Sequence, residues 1–93
     1  MSSLFPTYAK WNVHVKQGKG ATLIDDSGKK YIDFVAGIGV CNLGHCHPNV
    51  ISAVKQQLDQ LWHASNLFQL EGQEQVATKL AEESAGDLVF FLQ

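Results

Sequence analysis

The chain has 93 residues, of which 45% are hydrophobic and 17% charged, enough for a single small soluble domain with a modest core. Its formal charge of −2 at pH 7 offers no basic surface to nucleic acid or to an anionic membrane. All seven cationic residues are lysines, so a bidentate clamp on a substrate carboxylate, normally an arginine, must come from outside this chain. The start Met1-Ser2-Ser3-Leu4 has no basic run leading into an apolar one, and no apolar stretch is long enough to cross a bilayer. A cytoplasmic location is the expectation. Two cysteines, Cys41 and Cys46, make no disulfide framework and fit a reducing compartment.

In chain order, residues 12–15 and 21–25 read as short strands joined by a turn at Gln17-Gly18-Lys19-Gly20. Asp25-Asp26-Ser27-Gly28 is a second turn, with side chains that bond local backbone and a glycine free to take positive φ. Residues 30–34 should therefore return as a third antiparallel strand. Pro48 opens a helix at the position where its missing N–H costs nothing, and Val50, Ile51, Val54, Leu58 and Leu61 keep helical spacing to about Trp62. The stretch from His63 to Phe68 has no clean period and reads as a loop. A second helix is expected from Glu71 to Ser84, with acidic residues in its first turn and Gly86 as its terminator. The run Asp87-Leu88-Val89-Phe90-Phe91 has the pattern of a strand covered on both faces.

Few residues invite a chemical reading. Cys41, His45, Cys46 and His47 include the usual zinc-ligand types, but three of them are consecutive, so in an extended segment only two converge on one ion. Metal binding is not expected, and His47 is placed at the helix start with the cysteines as small packing residues. Gly37-Ile38-Gly39 fails the dinucleotide pattern because Asn42 stands where the third glycine belongs. Two readings remain for these glycines: a loop that lets backbone approach another body while pushing Ile38 out, or a tight corner between strands. For Trp11, Trp62 and Phe68, buried packing or a subunit contact is favoured over ligand stacking. No nucleophile stands with a base, and no catalytic residue is assigned.

The chain resembles the class III (ornithine-type) pyridoxal-phosphate aminotransferases. The residues that carry the resemblance are T-Y-A-K-W from Thr7, G-K-G from Gly18, D-D-S-G-K-K-Y-I-D-F from Asp25 and G-I-G-V-C-N-L-G-H-C-H-P from Gly37. W-H-A-S-N-L-F from Trp62, E-Q-V-A-T-K-L-A from Glu74 and S-A-G-D-L-V-F-F from Ser84 complete the set. Their order and spacing are the signal, and they sit nearest the branch that takes N-acetylornithine as donor. The resemblance implies an α/β architecture: the N-terminal lobe of a fold-type I aminotransferase, a small antiparallel β-meander plus helices, followed by the first strand of the large domain, truncated there. Residues 1–47 would hold the meander and glycine loop, 48–86 a helical segment with an interface loop, and 87–93 the start of the cofactor-binding domain.

It further implies homodimers that move an amino group from N-acetylornithine to 2-oxoglutarate in arginine biosynthesis, using pyridoxal 5'-phosphate as a Schiff base on a lysine. The family's lysine, carboxylate and phosphate loop lie beyond Gln93. What carries over is lining: Tyr8 and Ile38 as substrate contacts, and Ser65 and Asn66 as an interface loop near the neighbouring subunit's site. Alternatives left open are ornithine, succinylornithine or 4-aminobutyrate as donor, and a small non-catalytic binding module. Relatives continue the Phe-Phe pair with Cys or Thr and then Asn-Ser-Gly-Ala-Glu, whereas Leu92-Gln93 follows here. One extra T would turn TGC-AAT-AGC into TTG-CAA-TAG, which reads Leu-Gln-stop. The expectation is a frameshifted remnant that neither holds the cofactor nor transaminates.

Overall fold

The computed structural model describes residues 2–92, in two compact units, one up to Gln60 and one from Leu61 onward. The first unit is built on a three-stranded antiparallel sheet in the order β1 (Val15–Lys19), β2 (Thr22–Asp25) and β3 (Lys30–Ile32). The meander expected from the turn residues is therefore present, with β2 and β3 close to their anticipated places.

The turn between β2 and β3 is organised by one carboxylate. Asp25 Oδ1 accepts hydrogen bonds from Ser27 N–H (2.9 Å), Ser27 Oγ (2.6 Å) and Lys29 N–H (2.9 Å), and Tyr31 Oη donates to Oδ2 at 3.0 Å. Gly28 takes φ +85°, the conformation a side chain would resist. The Lys29 ammonium lies 5.0 Å from the centre of the Tyr31 ring.

β1 is where the sequence misleads. The strand expected at 12–15 begins instead at Val15, and Gln17-Gly18-Lys19, read as a turn, is strand. Lys19 pairs with Thr22, Gly18 with Leu23 and Gln17 with Ile24, with an irregularity between Val15 and Gln17. The true turn is Gly20-Ala21, with Gly20 at φ +56°. Gly18 is glycine for a reason other than turning: a Cβ there would come within 2.8 Å of the His45 side chain. Glycine inside a strand often marks such a close approach.

Helix α1 (Pro48–Leu58) starts where expected. His47 caps it by accepting the Asn49 N–H on Nδ1 at 3.2 Å, and Pro48 occupies the first turn. The helix stops before Trp62 because Asp59 follows, a residue that competes for backbone bonds and carries the wrong charge for a helix C-terminus. In the second unit α2 (Glu71–Glu82) places Glu71 and Glu74 in its first turn, with an exposed Lys79–Glu83 pair at 2.8 Å near its end. It ends two residues earlier than expected, at a Glu83 cap, and Gly86 is not in the left-handed conformation of a glycine terminator.

The packing departs from expectation more than the elements do. Among the described residues no side chain is fully buried: Val50, Val54 and Leu58 of α1 and Val76 and Leu80 of α2 are only half covered. Trp11, Trp62 and Phe68, expected in buried packing or a subunit contact, are open to solvent in the single chain. The apolar run after Gly86 forms no ladder among the described residues. Its exposure alternates, with Val89 and Phe91 half covered and Leu88 and Phe90 open, Phe90 at 81%.

Covering one such aromatic is worth roughly 1.5–3 kcal/mol, so this run should drive association between copies. Deleting residues 88–93 is expected to reduce self-association in sedimentation velocity at unchanged circular dichroism per residue of sheet and helix. Loss of the spectrum on deletion would show instead that the run supports the fold.

Candidate functional site

Between β3 and α1 the chain makes a loop whose two ends are fastened to the same sheet corner. Asp33 N–H donates to Ala21 O at 2.8 Å. Twelve residues on, His45 pairs with Gly20 as an antiparallel bridge, His45 N–H to Gly20 O at 2.8 Å and Gly20 N–H to His45 O at 3.0 Å. The approach is close enough that a Cβ on Gly44, itself at φ +87°, would stand 3.0 Å from Gly20 Cα. The side chains close the loop as well, His45 Nε2 lying 2.6 Å from Asp33 Oδ2. A carboxylate can only accept, so Nε2 carries the proton.

At the far end of this loop lies a backbone conformation that the sequence announces only in part, through Gly37 and Gly39. Ala36 (φ 51°), Gly37 (φ 60°), Ile38 (φ 57°) and Gly39 (φ 83°) are four consecutive residues with positive φ, a left-handed helical turn. Val40 N–H and Cys41 N–H both bond to Ala36 O, the latter at 2.9 Å, and Ile38 N–H bonds to Val35 O at 2.9 Å. The segment is thus no corner between strands, and the turn leaves the Ile38 side chain pushed out. Glycine adopts the conformation freely. Ala36 and the β-branched Ile38 do not, at a cost of about 1–2 kcal/mol each.

Asp33 holds the entry to the turn. Its Oδ1 accepts from Val35 N–H at 2.8 Å and Ala36 N–H at 3.1 Å, while Oδ2 is taken by His45. The side chain is only 7% exposed. The His45 hydrogen bond, and after it the Ala36 and Val35 amides, hold the Asp33 carboxyl below its usual range. Asp33 was not singled out from sequence, and His45 was weighed only as a metal ligand. The spacing of twelve belongs to no local pattern, and the pairing becomes visible only once β1 and β2 form.

Of the residues anticipated as lining, Ile38 sits in the left-handed turn with its side chain 91% exposed. Tyr8 lies before β1 in a segment without regular structure, 79% exposed. Among the described residues no hydrogen bond or ring contact joins the two. Ser65 and Asn66 belong to the second unit, ahead of α2. Ser65 takes φ 75°, with Leu67 N–H bonded to its Oγ at 3.2 Å and Phe68 N–H to its carbonyl at 3.3 Å; Asn66 Oδ1 accepts from Gln73 Nε2 at 2.9 Å. An apolar groove of about 680 Å³ runs between residues 40–47 and α1, lined among others by Val40, Leu43, Val50, Ile51 and Val54. Among the described residues no three histidine, cysteine or acidic side chains gather as a metal site, and no helix is long and apolar enough to cross a membrane.

Residues 6–93 match the family described as aminotransferase class III. The sequence is 59% identical over 91 residues to an acetylornithine aminotransferase of Halalkalibacterium halodurans, covering 98% of this chain and 24% of that protein. The corresponding figures for the Bacillus subtilis acetylornithine aminotransferase are 60% over 91 residues, 98% and 24%. Among solved structures, N-acetylornithine aminotransferase from Stenotrophomonas maltophilia superposes with a TM-score of 0.72 at 38% identity, over 76% of this chain and 20% of the other. Ornithine aminotransferase from Toxoplasma gondii does so with a TM-score of 0.83 at 32% identity, over 92% and 20%. The chain thus spans about a quarter of the length of these curated relatives.

A depressed carboxyl contributes stability that is complete above its unfolded value and is lost as pH falls through the lower folded one. Acidification below about pH 4 should therefore release the turn. The Val35 and Ala36 amide resonances are expected to move together between pH 5 and pH 2, and Asp33→Asn should abolish that joint movement. Amides that stay put through the acid range would contradict the assigned role of Asp33.

Proposed function

We propose, from the premise that this chain belongs to the class III aminotransferases, that it forms one wall of the substrate pocket in an enzyme moving an amino group from N-acetylornithine to 2-oxoglutarate. Ile38 and Tyr8 line the donor side of that pocket. The reading is carried by the setting of Ile38, an apolar side chain left open on a backbone that is costly to maintain. Strain of that kind is retained where the surroundings over-determine it, and it concentrates at ligand contacts. The identity of more than half over nearly the whole chain to acetylornithine aminotransferases supports that donor over other amines. It likewise supports a place in arginine biosynthesis, in the cytoplasm.

Ser65 and Asn66 are assigned to an interface loop near the partner's site in a homodimer. In support, Ser65, like Ala36, Ile38 and Cys46, is a non-glycine residue at positive φ, and its turn is fixed by its own hydroxyl. The open Trp62 and Phe68 beside it are the kind of aromatic groups that subunit contacts cover.

Pyridoxal phosphate, which the family implies, does not fit the residues present here. A carboxylate for the pyridine nitrogen would need a free oxygen, whereas both oxygens of Asp33 are engaged. Lys29 lies over the Tyr31 ring and Lys79 pairs with Glu83, and among the described residues no other lysine forms an ion pair with a carboxylate. The segment's contribution is shape and exclusion of water at the donor side, and no covalent step is assigned to it. The 93-residue chain by itself is not expected to retain the cofactor on dialysis.

The test is to replace the matching segment of the Bacillus subtilis enzyme with this chain. The graft should use N-acetylornithine with kcat/KM within about tenfold of the parent. Ile38→Asp should lower it by about 100-fold or more, because an unpaired carboxylate is desolvated beside the ligand at a cost of several kcal/mol. The melting temperature should change little, since the side chain packs against nothing here and Asp tolerates positive φ better than Ile. Unchanged kinetics for Ile38→Asp would remove Ile38 from the pocket.

A further inference from the structure

We propose that Asp33 and His45 are a positioning pair for Ile38: the bond between them holds the left-handed turn, and through the turn it sets where the Ile38 side chain is presented. The kinetic consequence rests on the reading of Ile38 as a pocket residue. The structural claim does not.

Three hydrogen bonds converge on Ala36. Its N–H is taken by Asp33 Oδ1 at 3.1 Å, and its carbonyl receives the Val40 and Cys41 amides, so the first residue of the turn is gripped from both sides. From there Gly44 N–H bonds to Cys41 O at 2.9 Å and leads to His45, which returns to Asp33 through Nε2 and to the sheet through Gly20. A closed circuit of hydrogen bonds therefore runs from the carboxylate through the turn and back to the same carboxylate. Packing offers no substitute, because Phe34, Ile38 and Val40 around the turn are all open to solvent. His45 is positioned in its own right, its ring lying over Gly18 where a Cβ would collide. A carboxylate with both oxygens occupied, joining two backbone amides to a ring nitrogen, supplies what a strained turn lacks on its own.

Neither residue touches substrate in this scheme, so the test has to separate positioning from general support. In the grafted enzyme, His45→Phe keeps a ring over Gly18 and removes the N–H, while His45→Gln restores a donor at similar reach. His45→Phe should lower kcat/KM for N-acetylornithine by about 10- to 100-fold and His45→Gln should recover most of it. Ile38→Ala, damaging in the unaltered graft, should have little further effect on top of His45→Phe, since contacts in one network are not additive. Crystal structures of the two variants should show residue 38 leaving positive φ in the first and keeping it in the second. Retention of positive φ at residue 38 in His45→Phe, or effects of the two substitutions that simply multiply, would overturn the proposal. Should the unaltered graft be inactive, the pocket reading fails, and the backbone at residue 38 alone decides the positioning claim.

Discussion

The structure of the first unit depends on a single carboxylate, that of Asp33, and on what its two oxygens hold. One oxygen fixes the peptides that enter the left-handed turn; the other fixes the residue at which the loop rejoins the sheet. Closing a loop of this length costs entropy that grows only slowly with length, so one well-covered, charge-assisted contact with a backbone bridge beside it is enough to hold both ends. The same bond explains the glycines. Gly18 makes room for the His45 ring and Gly44 for the backbone of Gly20, so residues that look like punctuation in the sequence are spaces cleared for the clasp.

A clasp made of hydrogen bonds suits a segment that has little core of its own. The apolar faces of α1 and α2 are half covered and the aromatic residues are open, so local polar contacts, and not burial, define the loop's conformation. Asp25 repeats the device on a smaller scale, one carboxylate gathering Ser27, Lys29 and Tyr31 around a tight turn, and its carboxyl too is held low, first by the Ser27 hydroxyl.

What could be read from the sequence was local. The Asp25–Gly28 turn, β2, β3 and the start of α1 at His47-Pro48 were legible because side chains within a few residues determine them. The end of α1 was misplaced because Leu61 and Trp62 continue the apolar spacing past Asp59, and spacing outweighed the breaker. β1 was misplaced because Gly18 was taken for a turn residue, when its partner is a histidine 27 positions away. The left-handed turn was partly legible in Gly37 and Gly39, but Ala36 and Ile38 argue against it locally and only the distant clasp overrides them. Leu88–Phe91 read as a strand because its residue types suit one; a ladder also needs a partner strand, which residue types alone do not supply.

The central claim, that the Asp33–His45 bond governs the turn at a distance, is tested most directly by amide hydrogen exchange. The Val35 and Ala36 amides bond to Asp33 and not to His45, whereas the amides of Gly20 and His45 lie in the bridge. Hydrogen bonds to an ionised group are the stronger ones. The account therefore predicts that His45→Phe speeds exchange at Val35 and Ala36 by about tenfold or more, together with Gly20 and His45 itself. Faster exchange confined to Gly20 and residue 45, with Val35 and Ala36 as protected as before, would contradict it.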